Sequence, residues 1–81
     1  MNFLSNIVKT QVHSDGTRQI WYAGGNTLKV SADGTNRRMV FCNGDLQESW
    51  SREGITRYFY AESRVWHETH RDGAQIISYP E

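Results

Sequence analysis

The sequence predicts an all-β chain: a single-layer antiparallel β-meander of about seven to eight short strands, joined by tight glycine turns and open to solvent on both faces. Three observations carry this. First, turn dipeptides recur at Asp15-Gly16, Gly24-Gly25, Asp33-Gly34, Asn43-Gly44, Glu53-Gly54 and Asp72-Gly73, so the second glycines fall nine or ten residues apart, with one doubled gap centred on Ala61-Glu62-Ser63. Second, Leu, Ile, Val and Phe number only 16 of 81 residues, too few for a thick two-layer core, while ten residues are Phe, Trp or Tyr. Third, a chain of this size buries only about 60% of its unfolded surface even when well packed. The zero formal net charge and the aromatics place it outside the disordered class despite its poverty in aliphatics.

The elements follow in order. Asn6 to His13, Thr17 to Ala23, Asn26 to Ala32, Thr35 to Cys42, Asp45 to Ser51, Ile55 to Ala61, Arg64 to Arg71 and Gln75 to Tyr79 are rich in Thr, Val, Ile, Tyr and Trp and read as strands. Asp-Gly and Asn-Gly between them predict two-residue hairpin turns of type I′, whose central residues both take positive φ. The turn at Ala61-Glu62-Ser63 has lost its glycine. Met1 to Ser5 reads as a frayed end, and Pro80 ends the last strand. No helical period longer than a turn is present. Residues 1–81 are expected to form one repeat-based domain, either the whole chain or a piece of a longer sheet.

Period-two alternation decides the layer count. Leu28 and Val30 share one face, but Met39 and Phe41 oppose Val40 and Cys42, Ile55 and Phe59 oppose Tyr58 and Tyr60, and Val65 opposes Trp66. Neither face is clean enough to bury against a second layer. A small closed barrel, the rival architecture, needs one consistently apolar face. An open sheet leaves two edges, so pairing between copies is an expected alternative to a monomer.

Several functions are disfavoured at once. No run approaches the roughly 20 apolar residues that span a bilayer, and Met1 to Val12 lacks the basic and apolar regions of a signal peptide. Zero net charge without a basic block argues against a nucleic-acid binder. The lone Cys42 makes no internal disulfide and favours a reducing compartment; as a nucleophile it has no nearby orienting acid, so it reads as a buried or half-buried packing residue. His67 and His70 stand three apart on a strand and face opposite sides, so they cannot share a metal ion. Arg37 and Arg38 likewise split between the faces, as solvated charge or as part of cross-strand pairs with Glu48 and its neighbours. Trp21, Trp50 and Trp66 are expected to cover the sheet. The pattern calls for no catalytic residue, no metal and no cofactor.

The run Val30-Ser-Ala-Asp-Gly-Thr-Asn-Arg-Arg-Met-Val-Phe-Cys-Asn-Gly-Asp45 resembles the "VSADG … V-x-F-F-N-G-D" segment of the G-box, or T-complex-protein C-terminal domain, of the CPAP/Sas-type centriole-assembly scaffolds. Ile55-Thr-Arg-Tyr-Phe-Tyr-Ala61 resembles that family's tyrosine-rich strand, and His67 and Asp72-Gly73 fall where it has a histidine and a turn. The resemblance spans Asn6 to Tyr79. It implies a long single-layer sheet that binds a proline-rich motif of a STIL/Ana2-type centriole protein, in the cytoplasm at the centrosome. It places the peptide-binding aromatics on Phe41, Tyr58 and Tyr79. Cys42 departs from the family's second Phe, an extra residue lies near Ser51 to Gly54, and an acidic residue that aids binding in relatives falls beyond Glu81.

The physics of such a site is simple. Polyproline II segments have little conformational entropy left to lose and dock on flat aromatic surfaces, and a tyrosine hydroxyl can donate to their exposed carbonyls. The competing reading is that these rings are only cross-strand stabilisers. Other classes are a MORN- or YD-like structural repeat that binds lipid or forms a shell, and a small hydrolase. The Tyr-x-Gly-x-Trp starts of MORN repeats are missing, and no constellation supports hydrolysis.

Overall fold

The computed structural model describes residues 6–81; the expectation for Met1 to Ser5 lies outside the described residues. Eight strands form one antiparallel sheet in sequence order: β1 (Ile7–Val12), β2 (Arg18–Tyr22), β3 (Thr27–Val30), β4 (Asn36–Val40), β5 (Leu46–Trp50), β6 (Ile55–Tyr60), β7 (Val65–His70) and β8 (Gln75–Ser78). The long dimension, 35 Å, is what eight strands at about 4.8 Å spacing require. Among the described residues β1 and β8 do not pair with each other and form the two edges, so the sheet is open and the barrel alternative falls.

The turns differ from the type I′ expectation. At His13–Thr17, Tyr22–Asn26, Phe41–Asp45 and His70–Ala74 the loop has three residues. The glycine N–H donates back to the carbonyl that opens the turn, as Gly44 does to Phe41 at 2.9 Å. Only the glycines take positive φ, and the Asp or Asn before them does not. At His13–Thr17, Phe41–Asp45 and His70–Ala74 this is a type I turn closed by a left-handed glycine; at Tyr22–Asn26 the residue before the closing Gly25, Gly24, also takes positive φ, at 92°. The short side chain earns its place by accepting the next N–H: Asp15 Oδ1 takes that of Thr17 at 3.0 Å, and Asn43 Oδ1 that of Asp45 at 2.9 Å. The extra residue near Ser51 makes a four-residue turn, Trp50–Gly54. The glycine-free turn is its counterpart, Tyr60–Arg64, with Arg64 at φ 58 where the other has Gly54 at φ 69.

Turns on the same side of the sheet touch their neighbours two strands away. A Cβ on Gly44 would stand 3.2 Å from that of Ala61. Asn26 Oδ1 accepts the Cys42 N–H at 2.9 Å, and Asp45 Oδ1 accepts that of Ala61 at 2.8 Å, so one device recurs every other hairpin. These ties supplement the ladder in a protein with almost no interior. Among the described residues only Val30 (4% exposed) and Tyr22 (9%) are buried.

Register assigns the faces. One carries the row Ile20–Leu28–Met39–Gln47–Tyr58–His67–Ile77. The other carries Lys29–Arg38–Glu48–Arg57–Glu68 and, one pleat away, Val40–Leu46–Phe59–Trp66. All three tryptophans fall on this second face, as do most strand-borne charges; Arg18 and Arg37 are the exceptions. Arg57 lies 4.1 Å over the Trp66 ring, 3.3 Å from Glu68 and 3.8 Å from Glu48, and Arg38 reaches Glu48 at 3.6 Å. Of the two arginines, Arg38 pairs with Glu48, while Arg37 faces the other way. Cys42 corrects its expectation: it sits in the β4–β5 turn and is exposed, because β4 ends at Val40.

Candidate functional site

β4, β5 and β6 build an aromatic cluster on the first face. Phe41 follows β4 on the same side as Met39, and Tyr58 lies within β6, on the face fixed by its partner Gln47. Their ring centroids are 5.9 Å apart and tilted by 34°. Tyr60, two residues on and hence on the same face, brings its ring to 4.6 Å from that of Tyr58. Spacings of this size favour tilted aromatic pairs. The three rings form an uncovered surface, with Tyr60 44% exposed.

Asp45 holds the cluster in place. The Phe41 N–H donates to the Asp45 carbonyl at 2.9 Å, closing the turn. The Asp45 carboxylate then accepts the Tyr58 hydroxyl at 2.7 Å with one oxygen and the Ala61 N–H at 2.8 Å with the other. One side chain thus fixes the Tyr58 ring and the turn that follows Tyr60. The two donors, the Ala61 N–H first and the Tyr58 hydroxyl second, hold the Asp45 carboxyl below its ordinary range. Donation to the carboxylate, with some burial, pushes the Tyr58 hydroxyl up to about 12. The consequence corrects the expectation for tyrosine hydroxyls: the Tyr58 proton is already committed inside the protein, so toward a ligand Tyr58 offers ring area and an acceptor. Tyr60 makes no hydrogen bond through its hydroxyl among the described residues and keeps its donor.

The structure therefore brings Phe41 and Tyr58 together, as the sequence expectation required. Tyr79 stands apart. It follows β8, 73% exposed, and forms no ring pair among the described residues. Continuing the β7–β8 register puts it opposite Val65, itself the partner of Tyr60, so it lies two strands beyond Tyr60 on one row. Tyr60 is the third ring of the cluster, and its signal in the sequence is the two-residue spacing from Tyr58. His67 and His70 do lie on opposite faces: His67, opposite Tyr58, bonds Gln75 at 2.9 Å, and His70 contacts Glu68 at 2.6 Å. Among the described residues no group of three or more His, Cys, Asp or Glu gathers as a metal site.

No family model matches the chain. The chain is 43% identical to the Drosophila melanogaster SAS-4 (dCPAP) TCP domain solved in complex with a proline-rich motif of Ana2 (dSTIL), with a TM-score of 0.86 over 89% of this chain and 46% of that one. It is 29% identical to the TCP10 domain of Danio rerio CPAP solved with a STIL peptide, with a TM-score of 0.82 over 89% of this chain and 39% of that one. Centrosomal P4.1-associated protein of Mus musculus is 28% identical over 69 residues, which are 85% of this chain and 5% of that protein. The chain thus spans a small part of its curated relatives and about half or less of these solved domains. In both its open meander and this level of identity, the chain is similar over most of its length to the TCP10/G-box domain of the CPAP/Sas-4 proteins.

Proposed function

We propose that the chain is a non-catalytic interaction module of centriole assembly that holds a proline-rich segment of a STIL/Ana2-type protein on its aromatic face. The observation that carries this reading is the uncovered Phe41–Tyr58–Tyr60 cluster, locked by Asp45, in a chain similar to domains solved in complex with such segments. Phe41 and Tyr58 supply the platform and Tyr60 the free hydroxyl donor. Tyr79 supplies an outlying ring two strands away, positioned to meet a further proline. Such a module works in the cytoplasm at the centrosome. Its test is capture of the chain by an immobilised peptide carrying the Ana2 proline-rich motif. Capture by wild type and loss with folded Phe41→Ala and Tyr58→Ala proteins is the expected result, and retention by both variants refutes the site.

A second reading, self-association edge to edge, is favoured by one observation. Among the described residues, every exposed large hydrophobic apart from Tyr60 lies at an edge of the sheet: Ile7, Val8 and Val12 on β1, Ile76 and Ile77 on β8, and Tyr79 just past it. The β1 register shifts between Ile7 and Lys9, a bulge that disfavours pairing there, whereas β8 is regular. Sedimentation over a concentration series separates one constant monomer mass from association.

A further inference from the structure

The aromatic face continues past Phe41 across β4, β3 and β2, and this second half has a chemistry of its own. A shallow groove of about 460 Å³ runs along it over Ile20, Leu28, Met39 and Val30. Arg18 and Arg37 border it. Register sets Val30 directly between them, Arg18 on β2 and Arg37 on β4, which accounts for Val30 being the most buried residue described. Neither arginine has an ion-pair partner among the described residues, although Arg38, Arg52 and Arg57 each do. Two like charges, two strands apart on one row and unneutralised, oppose folding rather than aid it. The surroundings deepen the bias: residues 6–42 carry five Lys/Arg against two Asp, while residues 43–81 carry four Lys/Arg against seven Asp/Glu.

We propose that this groove is an extension of the binding face that takes an acidic flank of the same proline-rich segment, with Arg18 and Arg37 receiving its carboxylates and Ile20, Leu28 and Met39 an aliphatic side chain between. The proposal rests on the aromatic face being the peptide site. Continuity and charge select the occupant. Phe41, Met39 and Arg37 succeed one another on one side of β4, so the arginine row begins about 13 Å from the Phe41 ring position. At about 3.1 Å per residue, a polyproline-like chain covers that span in about four residues. A neutral or basic flank would leave both guanidinium groups unpaired; an acidic one meets both.

The experiment uses synthetic peptides carrying the Ana2 proline-rich motif, extended at one end or the other by six residues that include either two Asp or two Ser, titrated at low and high salt. Two exposed charge pairs predict a gain of about fivefold for the acidic flank, at one end only and at low salt. An Arg18→Gln/Arg37→Gln protein, its melt checked against wild type, should no longer distinguish the flanks, and Arg37→Glu should prefer the Ser flank. Equal affinity of wild type for acidic and neutral flanks overturns the proposal while leaving the aromatic site standing; it means that the arginines merely shield Val30. Discrimination that survives in the double variant overturns it as well. Failure of every peptide to bind wild type removes the aromatic site, and this proposal with it.

Discussion

Replacing Arg64 by glycine should stabilise the protein, although it deletes a large side chain. The turns Trp50–Gly54 and Tyr60–Arg64 are closed alike: the last N–H donates to the first carbonyl, at 2.9 Å and 2.7 Å. Their closing residues share the left-handed conformation, at φ 69 and φ 58. For a residue with a Cβ that region costs roughly 1–2 kcal/mol. Glycine avoids the cost but surrenders about 0.4–1 kcal/mol through its freer unfolded chain. Arg64 is exposed and makes no ion pair among the described residues, so nothing else is lost. The net is a gain of about 0.5–1 kcal/mol. At about 4–8 °C per kcal/mol for a domain of this size, Arg64→Gly should melt roughly 2–8 °C above wild type. The assay is a reversible far-ultraviolet circular dichroism melt, paired with urea unfolding at constant slope. A melting temperature equal to or below that of wild type refutes the account of this turn.

The converse change, Gly44→Ala, adds a Cβ at φ 93 and 3.2 Å from the Ala61 Cβ. It should cost more than about 1 kcal/mol, read from the urea midpoint. Asp33 accepts from the Ser31 hydroxyl and from the Thr35 N–H and hydroxyl, which lowers its carboxyl to about 2. Its contribution is therefore complete above its ordinary value near 4 and lost as pH falls through about 2. The gap in melting temperature between wild type and Asp33→Asn should accordingly close over that window, and a gap that persists at the acid end contradicts the assignment. Because the Tyr58 proton is held by Asp45, Tyr58→Phe should retain peptide affinity within about twofold while Tyr60→Phe weakens it, the free donor being the one lost; calorimetric titration measures both.

Much of this was legible in the sequence because strand and turn signals are local. Each of the eight strands falls within a segment bounded by the glycine period, and the absence of a second layer follows from faces that alternate without clearing. The turn type was not legible. Asp-Gly suits both a two-residue and a three-residue loop, and the choice is made by which N–H the Asp side chain caps and by contacts between turns two strands apart, such as Gly44 with Ala61. The segregation of tyrosines and tryptophans onto opposite faces needed the register, since one residue of slip exchanges the faces. In the proposed site, resemblance suggests Phe41 and Tyr58, and only the fold shows that Asp45, 13 residues before Tyr58 in the chain, takes the Tyr58 hydroxyl.

The central claim is that one face of this sheet, and not the other, receives the proline-rich partner. The most direct measurement is calorimetric titration of a peptide carrying the Ana2 proline-rich motif into wild type, Tyr58→Ala on the aromatic face and Lys29→Ala on the opposite face. Loss of a central ring from such a contact predicts a drop of about tenfold or more for Tyr58→Ala. Lys29→Ala should bind as wild type does. Unsaturable binding to wild type, or equal losses from the two faces, would contradict the account.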